Sequence, residues 1–313
     1  MMKGKSMAAI LLVTALGLTA CGGQGTGAAA SQEAAQEAQT GEAGGEQSEE
    51  ADGDELTGTD APEASKPEEG TQLDPGFSVE SGSIPEITIE AKQIPDKECF
   101  RFVKDMKTGW NLGNTLDAYS QGKMYGDDIS SEEIWGNPVT TKEMIDTLKN
   151  TGFRTVRIPV TWHNHVTDDG NGPVISEAWL DRVQEVVDYA YDNGMYVILN
   201  THHDNTANIE GEGGYYPDTA HAEESDRYIR GIWTQVAERF KDYDEHLIFE
   251  SLNEPRLAGT DYEWNFNAGV AECKDAAGSI NRLNQLFVDT VRATGGNNVE
   301  RYLMMPGYDA SLA

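Results

Sequence analysis

The feature that most constrains this chain is an alternation that begins near residue 105. Five apolar, strand-length runs recur at Gly109-Trp110-Asn111-Leu112-Gly113-Asn114, Thr155-Val156-Arg157-Ile158-Pro159-Val160, Tyr196-Val197-Ile198-Leu199-Asn200, Leu247 to Leu252, and Tyr302-Leu303-Met304-Met305-Pro306. Between them the apolar positions fall at helical spacing. One set is Met144, Ile145 and Leu148, and the next is Leu180, Val183, Val186, Val187 and Ala190. Two more follow, Ile229, Ile232, Trp233, Val236 and Phe240, then Ile280, Leu283, Leu286, Phe287 and Val291. Thr140 or Thr141 caps the first helix, and Gly152, Gly194 and Gly295-Gly296 stop three of them. Strands alternating with amphipathic helices imply right-handed crossovers and a parallel sheet.

An open doubly wound sheet and a closed (β/α)8 barrel both satisfy that pattern. A doubly wound nucleotide fold should carry a glycine-rich turn after its first strand. Here that strand runs into Asn111-Leu112-Gly113-Asn114-Thr115, which lacks the spacing. Polar residues close every strand at the same end, as a barrel enzyme requires. The expected fold is α/β, a (β/α)8 TIM barrel of which about five strands are present.

The run from Leu247 to Pro255 places Asn253 and Glu254 where a buried strand opens into a loop, with Pro255 unable to continue the ladder. A half-buried carboxyl there can keep its proton and deliver it to a leaving oxygen. Alone, Asn-Glu-Pro is more often a turn. The other strand ends add Asn111, Asn114 and Asp117, then Arg157, Trp162, His163 and His165, then Asn200, His202, His203 and Asp204. Trp135, Tyr215 and Tyr216 lie in the long connections. Amides and carboxyls suit sugar hydroxyls, and aromatic rings suit the apolar face of a pyranose. Trp162, Tyr215 and Tyr216 fit loop packing as well as they fit sugar platforms.

Four motifs together resemble glycoside hydrolase family 5, closest to its bacterial endo-β-1,4-glucanases. They are Trp110-Asn111-Leu112-Gly113-Asn114-Thr115-Leu116-Asp117, Arg157-Ile158-Pro159-Val160-Thr161-Trp162, Leu199-Asn200-Thr201-His202-His203-Asp204 and Phe249-Glu250-Ser251-Leu252-Asn253-Glu254-Pro255. The resemblance implies a retaining endo-glycosidase acting on cellulose, mixed-linkage glucan or xyloglucan, without a cofactor or a metal. It makes Glu254 the general acid/base and Asn253 the ligand of the sugar 2-hydroxyl. Arg157 becomes the partner of the nucleophile, and His202 a cleft histidine with His203 beside it. Asn111, Asn114, Trp162, Trp135 and Tyr215 are the further substrate-binding candidates.

Retention needs a second carboxylate ~5–5.5 Å from the first. The resemblance puts it on a seventh strand, with a histidine and a tyrosine from the sixth. The sequence reaches Ala313 just after its fifth strand-like run, and Glu250 and Asp204 are poor substitutes, so a C-terminally truncated piece of a longer enzyme is expected. Two rival readings are a metal-dependent barrel hydrolase using His163, His165, His202 and His203, and a lipid-anchored glycan-binding protein without catalysis.

The front of the chain is of another kind. Lys3 and Lys5 precede an apolar stretch from Met7 to Leu18, which reads as a signal peptide over 1–21. Leu18-Thr19-Ala20-Cys21-Gly22 resembles a lipobox, which implies lipidation of Cys21 and a lipid-anchored lipoprotein, extracellular or at the cell surface. Residues 22–76 are Gly, Ala, Glu, Gln, Ser and Thr with almost no large apolar residue, so a disordered acidic linker is expected. Residues 77–98 form a lead-in with one alternating stretch, and 99–313 form the catalytic domain. The net charge of −31 argues against nucleic acid as a partner. A polysaccharide is the expected partner, the protein being a monomer. Cys99 and Cys273 read as buried free thiols, with their pairing left open by the sequence.

Overall fold

A computed structural model of the chain describes residues 96–311. The signal segment 1–21 with Cys21, the linker 22–76 and nearly all of the lead-in 77–98 lie outside the described residues.

Five strands form one parallel sheet, β1 (Gly109–Asn111), β2 (Thr155–Ile158), β5 (Tyr196–Asn200), β6 (Leu247–Glu250) and β7 (Leu303–Met304), side by side in that order. The helices are α1 (Glu98–Met106), α2 (Lys142–Asn150), α3 (Glu177–Tyr191), α4 (Ala222–Arg239) and α5 (Ala271–Ala293). Their starts follow from the sequence. Thr141 Oγ1 accepts the Met144 amide, and Ser176 Oγ accepts the Trp179 amide, each satisfying a donor the first turn leaves free. The expected strands appear in shorter form. Pro306 and Pro159 stand just beyond β7 and β2, where a missing N–H ends pairing.

One element was not anticipated. Between β2 and α3 an antiparallel hairpin pairs β3 (Val166–Asp168) with β4 (Pro173–Ile175) around Asp169-Gly170-Asn171-Gly172. It packs on α4, where Gln235 Nε2 donates to the Pro173 carbonyl and Gln235 Oε1 accepts the Ile175 amide.

The alternation of side chains along each strand separates two apolar layers. Val156, Ile158, Val197, Leu199, Leu247, Phe249 and Leu303 face the helices in the main core, with Val186, Val187, Trp233 and Phe287. The opposite face holds Tyr196, Ile198 and Ile248 against Phe102 of α1, whose ring stacks on Tyr302 at 3.8 Å. Because the period is two, Asn200 and Glu250 continue the second face to the carboxyl ends of β5 and β6. The register sets Asn111 beside Arg157 at the level of Ile198, and Asn200 beside Glu250 one inward position further along, so four polar residues gather at this end of the small apolar cluster. Cys99 and Cys273 are both free; Cys273 is buried, whereas Cys99 is only half-buried because α1 turns it toward the surface.

Candidate active site

Arg157 is the centre of the polar floor. Its Nε donates to Glu250 Oε2 at 2.7 Å, Nη1 to Asn111 Oδ1 at 2.9 Å, and Nη2 to Asn253 Oδ1 at 2.7 Å. A guanidinium has five N–H groups, so one remains on each terminal nitrogen for an anionic partner. Asn253 and Glu254 follow the end of β6, and the proline after them is buried. Arg256 turns back over this corner. Its Nη1 donates to the Glu254 carbonyl at 3.0 Å and lies 3.7 Å from Glu254 Oε2. Its Nε donates to Glu263 at 3.1 Å, and its guanidinium sits 4.3 Å above the exposed ring of Trp264. Glu254 is thus partly exposed, with a cation beside it.

The histidine side of the floor comes from the residues after β5. His202 Nδ1 lies 3.0 Å from Asn200 Nδ2, and its Nε2 faces Asp117 Oδ2 at 3.8 Å. His203 Nε2 faces the same oxygen at 3.7 Å. Burial holds the His202 imidazole well below its ordinary pKa, and the neighbouring His203 and Arg157 add to the effect. Burial would raise the Asp117 carboxyl, but the His203 contact and the Thr115 amide outweigh it and leave the group ionised. Asp117, His202 and His203 offer ligand atoms within 4.8 Å of one another. While His202 Nδ1 takes an amide hydrogen, however, the neutral ring must carry its own proton on Nε2, which then cannot ligate an ion. His163 and His165, the other imidazoles of the zinc reading, are engaged elsewhere. His163 Nε2 lies 3.1 Å from Glu212 Oε2, and His165 stacks on Trp179 at 3.8 Å while its Nδ1 meets the Gly126 carbonyl at 2.8 Å.

Trp162 and Tyr215 depart from the expected substrate wall. Both are fully buried. Trp162 Nε1 donates to the Asn200 carbonyl at 3.0 Å, so its ring fills the core under β5 instead of facing a cleft. Tyr215 lies in the same core because its loop folds back onto Asp204, whose carbonyl accepts the Tyr215 amide at 2.8 Å. Tyr216 is buried as well. Asp204 is likewise a scaffold residue. Its Oδ1 accepts the Trp162 and His163 amides at 2.9 and 2.7 Å and the Tyr228 hydroxyl at 2.6 Å. Trp135 stays at the surface, its Nε1 donating to the Tyr119 carbonyl at 3.1 Å and its ring 5.5 Å from that of His203. Asn114 is exposed at φ 61°, a left-handed turn that asparagine tolerates, and its backbone helps hold Asp117.

Sequence reasoning placed Asn200 among the strand-end amides without giving it a partner, weighed Glu250 only as a poor substitute nucleophile, and missed Arg256. The signal for the first two was available. They stand directly opposite each other in register, two residues beyond the inward-facing Ile198 and Ile248.

A parallel sheet with acid, amide, arginine and histidine at the carboxyl ends of its strands is the arrangement that barrel glycosidases use. The family model described as Cellulase (glycosyl hydrolase family 5) matches residues 116–313. Endoglucanase A of Ruminococcus albus is 50% identical over 219 residues, which are 70% of this chain and 55% of that protein. A solved lichenase of the family from Caldicellulosiruptor sp. F32 is 56% identical with a TM-score of 0.67, over 72% of this chain and 59% of that one. A xyloglucan-specific endo-β-1,4-glucanase from a metagenomic library, solved with cellotriose, is 43% identical with a TM-score of 0.60, over 67% of this chain and 57% of that one. The chain belongs to glycoside hydrolase family 5, and its five parallel strands are part of the family's (β/α)8 barrel. It spans little more than half the length of each of these relatives.

Proposed function

We propose that this protein carries the acid/base half of an endo-acting, retaining glucanase that cleaves β-1,4-linked glucans. The observation that carries the reading is the Arg157 fork, which holds Asn253 immediately before Glu254 at the end of β6. Glu254 donates its proton to the glycosidic oxygen as the bond to the anomeric carbon breaks. A second carboxylate, supplied in the family fold by a strand outside the matched part, attacks that carbon and forms the glycosyl-enzyme. Glu254 then takes a proton from water as the sugar is released. Arg157 directs its two spare N–H groups at the attacking carboxylate, and Asn253 holds the sugar 2-hydroxyl. Trp135, with His203 beside it, offers an apolar surface to a neighbouring sugar ring.

Mixed-linkage glucan, cellulose and xyloglucan are the candidate substrates, because the solved relatives include a lichenase and a xyloglucan-specific endoglucanase. The protein works as a monomer at the cell surface, tethered by lipid at Cys21. The basic start, the short apolar stretch and the cysteine that closes it support that placement.

The test is digestion of barley β-glucan and soluble cellulose by the full-length gene product, followed by NMR of the first anomer released. Reducing ends with the β-anomer appearing first are expected. The α-anomer first, or no new reducing ends, overturns the reading.

A further inference from the structure

We infer that Glu250 is a positioning residue whose carboxylate, acting through Asn200, holds His202 as a neutral imidazole with its hydrogen on Nε2, facing the cleft. The argument begins with the Asn200 amide, which is fully buried and has three neighbours. Its Oδ1 accepts the Val160 amide at 3.2 Å, while its Nδ2 points at Glu250 Oε2 at 3.1 Å and at His202 Nδ1 at 3.0 Å. Turning the amide over would set its oxygen against the carboxylate and its NH2 group against the Val160 N–H. Both contacts are repulsive and neither group can escape to water, so one orientation survives.

With Nδ2 as donor, His202 Nδ1 must accept, and a neutral ring then carries its hydrogen on Nε2. Protonating the ring would press an N–H against the amide hydrogens. That geometric penalty acts in the same direction as burial and as the nearby Arg157, which both disfavour the cation. His202 Nε2 makes no hydrogen bond among the described residues, and Asp117 Oδ2 is too distant at 3.8 Å to take its hydrogen well. The N–H is available to an oxygen entering the cleft.

Glu250 does the same for the other side of the floor. The oxygen that receives Asn200 also receives Arg157 Nε at 2.7 Å, and through Arg157 the order extends to Asn111 and Asn253. One buried carboxylate oxygen therefore aligns the arginine and the histidine, which stand on separate strand ends. Its consequence for catalysis rests on the glucanase reading; the state of the His202 ring does not.

The experiment is a long-range 1H–15N spectrum of the full chain labelled in histidine, with His202 assigned from His202→Asn. Near neutral pH the ring should show the Nε2–H form, and it should stay neutral down to about pH 5, where an ordinary histidine of pKa about 6.5 is protonated. Glu250→Gln keeps a carbonyl that can accept both donors and should preserve this state. Glu250→Ala should free the Asn200 amide, mix the tautomers and let His202 titrate; Glu250→Leu replaces it if the alanine variant does not fold. In the active full-length enzyme Glu250→Ala should lower kcat at least ~10-fold, with Glu250→Gln closer to wild type. An Nδ1–H ring in the wild type, or an unchanged His202 in the alanine or leucine variant, overturns the inference. Absence of hydrolysis with the Nε2–H form intact would sink the glucanase reading and leave the inference standing.

Discussion

Arg182 and Glu132 meet through two parallel hydrogen bonds, Nε to Oε2 and Nη2 to Oε1, each 2.9 Å, with both side chains nearly sealed from water. The pair ties α3 to a short 3-10 turn at Ile129–Glu133 in the long connection after β1. Glu132 Oε1 also accepts the Thr140 amide at 2.7 Å, and Arg182 Nη2 donates to the Thr140 carbonyl at 2.7 Å, so the whole loop closes on one brace. Burial would push the arginine's pKa down, but the Glu132 and Glu185 carboxylates outweigh it and hold it above its ordinary value. Arg182→Ala leaves Glu132 buried without its cation, which should cost about 3–5 kcal/mol. Urea denaturation checks this, and a loss below ~1 kcal/mol would mean that the loop does not depend on the pair.

On the proposed mechanism, Glu254→Gln keeps the shape of the acid and removes the proton that Glu254 would deliver. In the full-length enzyme, hydrolysis of unactivated glucan should fall by about two to four orders of magnitude, with the urea midpoint unchanged. Near wild-type release of reducing ends would remove Glu254 from the mechanism.

Arg157→Lys tests the fork. A lysine is a point charge that cannot hold Asn111, Glu250 and Asn253 in fixed directions at once. The expected result is a fall in kcat of about 100-fold, carried by lost orientation although the charge is kept. An unchanged kcat would show that charge alone suffices.

Trp162 and Trp135 should separate cleanly. Trp162→Ala empties a core position and should destabilise the domain by about 3–5 kcal/mol. Trp135 is 41% exposed, so Trp135→Ala should leave the thermal midpoint within a degree or two while raising KM for polymer. Calorimetry and steady-state kinetics on both variants decide it; the reverse pattern would place Trp162 in the cleft.

His165 predicts a pH dependence of stability. Its pKa is pushed down to about 4, chiefly by burial, with the hydrogen bond to the Gly126 carbonyl working against the shift. His163, Asp128 and Asp204 are the charged or titratable groups acting on it. Between about 4 and 6.5 the unfolded chain binds a proton at this site that the folded chain does not. The contribution is therefore complete above about pH 6.5 and is lost as pH falls toward 4, at about 1.4 kcal/mol per unit of separation. Urea midpoints of wild type and His165→Gln should converge on acidification through that window. Parallel curves would place His165 in water.

The alternation of strands and helices was legible in the linear chain because burial on both faces of a parallel strand demands continuous apolar runs, and capping demands particular residues at particular offsets. The same logic put Glu254, Asn253, Arg157 and His202 at one end of the sheet, since polar residues that end such runs gather there. For Trp162 and Tyr215 the sequence left loop packing and sugar contact equally open, for a definite reason. They lie beyond the strands, where no period survives, and a loop that folds back under β5 buries what its position suggests is exposed. The β3–β4 hairpin was overlooked because its strands are three residues each, too short for a pattern.

By itself the sequence determined which residue types stand at the strand ends and, through the period of two, which of them share a face. Tertiary structure alone decided how they are connected. Glu250 lies 50 residues from Asn200 and 93 from Arg157, and only the lateral register of three strands brings their side chains to one oxygen. The reason is physical. Hydrogen bonds of about 3 Å depend on side-chain directions that neighbouring strands impose on one another, and no local stretch of chain contains that information.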